Sequence, residues 1–96
     1  ILQRELAGFQ PRTLAQYSYL EGVVWTKLNS SIRIEHSYVK SNPGYPTVRT
    51  DGAGATSYVF ASTLSGGAAD AINGGTIPSC AGVADENNAF SSSACP

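Results

Sequence analysis

Two cysteines, Cys80 and Cys95, flank the polar stretch AGVADENNAFSSSA. A thiolate can act as a nucleophile, a redox partner or a metal ligand, and two thiols can oxidise to a structural bridge. A zinc site asks for close pairs such as C-x₂-C with further ligands, and His36 is the chain's single histidine. A redox C-x-x-C is absent. A catalytic thiolate would need His36 as its base, and no local signature supports that pairing. The wide spacing therefore points to a disulfide. It closes a loop of about fifteen residues, restricts the unfolded chain by roughly 3 kcal/mol, and implies an oxidising compartment.

The other chemistry-bearing residues are weaker candidates. His36 alternates with Ile32, Ile34 and Tyr38 on one face of SIRIEHSYVK, which reads as a half-buried residue rather than a ligand or base. Serines are plentiful, but no G-x-S-x-G elbow exposes one. Asp85, Glu86, Asn87 and Asn88 put four oxygen-bearing side chains in a row. They lack the alternation, central glycine and distal glutamate of a calcium loop, so they read as the tip of a surface contact loop. The glycine tracts DGAGA and SGGAADAINGG match neither phosphate-cradling pattern and read as turns. Asn29-Ser30-Ser31 has the form of an N-glycosylation acceptor. No catalytic, cofactor-binding or metal-ligating residue is assigned, and the expectation is a non-enzyme without a cofactor.

Composition narrows the class. The 96 residues are 42% hydrophobic and only 14% charged, with a formal charge of −1. One domain over residues 1–96 is expected, and a domain of this size buries only about two-thirds of its unfolded surface. Six Lys and Arg are scattered singly, where a nucleic-acid binder shows a basic patch. No apolar run is long enough to span a bilayer. Low charge with abundant Gly, Ser, Ala, Thr and Asn suits an extracellular or cell-surface setting. The absence of methionine implies a processed or cut N-terminus.

The elements follow from periodicity. Ile1, Leu2, Leu6 and Phe9 open a helical pattern that Pro11 interrupts. Leu14, Tyr17, Leu20, Val24 and Leu28 then recur at three- and four-residue steps, with Trp25 beside them, which predicts a helix. Residues 1–30 are thus expected to form a kinked helical segment. Alternation in SIRIEHSYVK, the short TVRT and the β-branched ATSYVFAST predict three strands between turns at SNPGYP and DGAG. Residues 31–96 are expected as an antiparallel meander over 32–63 followed by an irregular, disulfide-stapled end. No internal repeat is evident. The fold class expected is α+β: a kinked N-terminal helix packed on a small antiparallel sheet, with a disulfide-closed C-terminal loop.

This order of elements resembles the globular region of a type IV pilin or pseudopilin. The residues that carry the resemblance are Cys80, Cys95 and Pro96, the strands SIRIEHSYV and ATSYVFAST, the helix ending near Leu28, and Glu5 at the place of the mature pilin glutamate. The twenty-residue apolar stem that follows that glutamate in pilins is replaced here by amphipathic sequence. The resemblance implies a non-catalytic structural or adhesive subunit of a pilus-like fibre. It would assemble with itself or with a partner chain through Ile1, Leu2, Glu5, Leu6, Phe9, Leu14, Tyr17, Leu20, Val24, Trp25 and Leu28. The alternative expectation is a small secreted binding module, such as an effector, toxin subunit or virion surface protein.

Overall fold

A computed structural model describes residues 12–91 and 95–96. The strands are β1 (Arg12–Gln16), β2 (Tyr19–Glu21), β3 (Val24–Thr26), β4 (Ser31–Glu35), β5 (Tyr38–Lys40), β6 (Val48–Asp51), β7 (Thr56–Phe60), β8 (Thr63–Ser65), β9 (Asp70–Ile72), β10 (Ser79–Ala81), β11 (Val83–Asp85) and β12 (Phe90–Ser91). They form three sheets, ordered β1-β4-β7-β10, β2-β5-β8-β11-β12 and β3-β6-β9. All pairings are parallel except β11 with β12. The chain visits the three sheets in turn, coil upon coil, which is a β-solenoid. Equivalent residues lie 19, 25 and 21 positions apart in successive coils, as at Ser18–Ser37, Ser37–Ser62 and Arg49–Asp70.

The inward positions explain why the chain winds this way. Parallel register stacks Ala15 on Ile34, Val59 and Cys80, Leu20 on Val39 and Leu64, and Val24 on Val48. Ile34, Val24, Val39, Val48 and Val59 have no exposed surface. Each coil alone has too little apolar surface to hold itself, and its neighbours complete the core. The third sheet is lined more by hydroxyls: Thr26 and Thr50 are fully buried and in register. Thr50 Oγ1 donates to the Thr76 carbonyl, and Ser57 Oγ donates to Thr26 Oγ1.

The first corner takes the same left-handed turn in each coil. Tyr17, His36, Ala61 and Gly82 have φ of 51°, 49°, 48° and 65°. A non-glycine residue in this left-handed region costs roughly 1–2 kcal/mol. The residue after it offsets that cost. The hydroxyls of Ser18, Ser37 and Ser62 donate to the carbonyls of Gln16, Glu35 and Phe60, at 2.9, 2.8 and 2.7 Å. Ser37 and Ser62 also accept the backbone N–H of Ser18 and Ser37 from the preceding coil.

The expected α+β fold is therefore corrected. Among the described residues there is no helix. The predicted helix over 12–28 is β1, β2, β3 and the turns between them. The predicted antiparallel meander over 32–63 is β4 to β8, in which β7 lies parallel on β4 and β8 parallel on β5, and no two consecutive strands pair. The expected irregular end holds β9 to β12, and the coils are an internal repeat that the sequence reading did not find. Tyr17 and Leu28 are exposed, Trp25 faces outward, and Leu20 and Val24 lie in the core, so these residues share no helical face. Ile1, Leu2, Glu5, Leu6 and Phe9 lie outside the described residues.

Candidate functional site

The first corner and the second sheet carry a surface of exposed rings. Parallel register sets Tyr19 on Tyr38, whose ring centroids are 5.4 Å apart with planes 10° from parallel. One corner over, Tyr17 stacks on His36 at 5.2 Å and 7°. Side chains at His36 and Tyr38 point outward while Ser37 and Val39 point in. The left-handed turn at His36 shifts the alternation, so His36 leaves the Ile32/Ile34 side on which parity placed it.

Both ring ladders stop after two coils. The next positions are Ala61 below His36 and Thr63 below Tyr38, then Gly82 and Ala84. This step from rings to small residues opens a shallow notch of about 670 Å³. His36 and Tyr38 form its upper end, Ala61 and Thr63 its floor, and Gly82 and Ala84 its lower end, with Ser18, Ser37 and Ser62 behind. Among the described residues, no Asp, Glu, Lys or Arg lines it.

The outward face of the third sheet is different in kind. Arg49 holds Asp70 with two bonds, Nε to Oδ1 at 2.9 Å and Nη2 to Oδ2 at 2.7 Å. The hydrogen bonding that Arg49 donates to Asp70 is the main reason its guanidinium pKa is held above its ordinary value. Asp51 accepts from Asn73 Nδ2 at 2.8 Å and from Trp25 Nε1 at 3.0 Å, and pairs with Lys27 Nζ at 3.2 Å. Those bonds, Asn73's first, keep its carboxyl below the usual range against the opposing effect of burial. Lys27 and Arg49 also lie over the Trp25 ring, 4.6 and 5.5 Å from its centroid. The charges of this cluster are paired within it, so it acts as a brace between coils.

The disulfide expected from the sequence is present. Cys80 and Cys95 are bonded, with Cα atoms 5.0 Å apart, and Cys80 is in the core. The acidic run is placed in a hairpin rather than a ligand shell. Asp85 Oδ1 accepts the backbone N–H of Asn87 and Ala89 at 2.8 and 2.9 Å, and Glu86 Oε1 accepts that of Gly66 at 3.1 Å. Glu86, Asn87 and Asn88 are exposed. Among the described residues no three His, Cys, Asp or Glu side chains gather as a metal site would require. No described helix is long and apolar enough to cross a membrane.

The sequence reading missed the ring ladders, although Tyr17-Ser18-Tyr19 and His36-Ser37-Tyr38 are one pattern a coil apart. Fold and site together define a short, disulfide-bonded β-solenoid with a stepped aromatic corner. No protein-family model, curated protein or solved structure matches the chain.

Proposed function

We propose that this chain is a non-catalytic binding module of the extracellular or cell-surface space, with the corner notch as its ligand site. The observation that carries this reading is the break in the two ladders. His36 and Tyr38 each end a stack above a small side chain, beside a space of about 670 Å³. Aromatic faces that meet open space rather than another ring offer stacking surfaces, and the hydroxyls beside them both donate and accept hydrogen bonds. The coil architecture holds these rings in place through the Ser37 and Ser62 bonds behind them. The disulfide is compatible with an oxidising compartment.

Of the two expectations from sequence, the secreted binding module is the one taken up. The fibre-subunit reading relied on a helical interface that residues 12–28 do not form. The module reading is tested by amide NMR with indole as a planar probe. Shifts confined to His36–Tyr38, Ala61–Thr63 and Gly82 are expected. Shifts absent from this corner, or spread evenly over all three sheets, would overturn it.

A further inference from the structure

We propose that the ligand of the notch is a neutral saccharide, seated with the C–H face of a pyranose against the His36 and Tyr38 rings. This rests on the binding-module reading above.

Three observations select this chemistry. The first is charge. Among the described residues no Asp, Glu, Lys or Arg lines the notch, and the ion pairs of Arg33 with Glu35, Arg49 with Asp70 and Lys27 with Asp51 lie elsewhere. An anionic sugar, a phosphorylated ligand or a charged peptide would lose hydration there with no opposite charge to replace it. The second is the mixture of surfaces. Ring faces and the Ala61 and Ala84 methyls alternate with the Tyr38 and Thr63 hydroxyls. A pyranose has the same mixture, with an apolar C–H face bounded by hydroxyls. The aromatic ring face is electron-rich and attracts polarised C–H groups, and the rim hydroxyls both donate and accept hydrogen bonds.

The third is layer geometry. Rings already repeat along the solenoid axis at 5.2 and 5.4 Å. A flat ring placed under His36 or Tyr38 continues that stack in the layer where the protein supplies only Ala61 and Thr63. Gly82 and Ala84 keep the next layer open as well, and further units of a β-1,4-linked chain extend in the plane of the stacked pyranose, across the corner.

The test titrates the whole chain with three neutral hexasaccharides (gluco-, manno- and xylo-configured, β-1,4-linked) and with an oligogalacturonate of equal length, by calorimetry and amide NMR. Thr63→Tyr extends the Tyr19–Tyr38 ladder into the notch without removing any core group, and Tyr38→Ala removes a stacking face. At least one neutral oligosaccharide is expected to bind with shifts at Ala61–Thr63. Affinity should fall at least tenfold in Thr63→Tyr and at least fivefold in Tyr38→Ala, with unchanged circular dichroism. If indole shifts the corner but none of the three saccharides does, the saccharide assignment is wrong and the module reading stands. If neither binds, both fall. An oligogalacturonate that binds as tightly as the best neutral chain overturns the assignment, as does a Thr63→Tyr variant that is folded and binds undiminished.

Discussion

Trp25 and Asp51 are joined across neighbouring coils by a 3.0 Å hydrogen bond from indole Nε1 to carboxylate Oδ2. With Asn73 and Lys27 on the same carboxylate, this bond favours the ionised form of Asp51 in the folded state. Its folded value lies below the ordinary 3.8. The stabilisation is therefore present above the unfolded value and is lost as pH falls through the folded one. Urea titrations from about pH 6 down to about pH 2 should show Asp51→Asn less stable than the parent at the upper end, with the gap closing below about pH 4. A gap that is constant across that range would contradict the bonded carboxylate.

Ile34 and Leu14 separate the solenoid from the helical arrangement. Ile34 has no exposed surface, while Leu14 is 58% exposed on an outward position of β1. Ile34→Ala should cost about 2–5 kcal/mol in chemical denaturation. Leu14→Ala should stay within about 0.5 kcal/mol.

Thr47 has a fully buried hydroxyl without a hydrogen-bond partner among the described residues. An unmade buried bond costs about 1–3 kcal/mol, and an apolar group of the same shape removes that cost. Thr47→Val is expected to raise stability by about 1 kcal/mol, read as a higher urea midpoint at unchanged slope.

Gly67 forms a parallel bridge with Pro46, and a Cβ there would collide with the Tyr45 carbonyl. Because the obstacle is backbone, it cannot swing aside. Gly67→Ala should lower stability by about 1–3 kcal/mol, measurable in the same titrations.

The Cys80–Cys95 bridge spans 15 positions. Replacing both cysteines by alanine should cost roughly 3 kcal/mol through the released unfolded chain. A folded variant with an unshifted melting temperature would show that the bridge does not restrain the chain.

Local features were legible in the sequence where one strand sufficed. Ile32 and Ile34 alternate and point inward, and the cysteine spacing identified the bridge. The winding was not legible, for reasons of geometry. Leu20 and Val24 are four residues apart because a corner at Gly22 separates two three-residue strands. Short strands joined by tight corners thus place inward residues at helix-like steps. His36 was assigned to the wrong side because one left-handed residue breaks the two-residue period. The repeat escaped notice because the coils differ in length, so no fixed period aligns Ser18, Ser37 and Ser62. The ring notch exists only once coils two and three are superposed, and no stretch of chain contains it.

The last strand, β12, runs antiparallel to β11, its one strand neighbour among the described residues. By lying on β11 it occupies an edge whose exposed N–H and C=O groups would otherwise template another strand. A coil can be added to such a molecule between existing ones, away from that edge. A duplicated coil inserted at the turn of Gly52–Ala55 would lengthen the rod and leave the reversed edge in place, making the number of rungs an adjustable quantity.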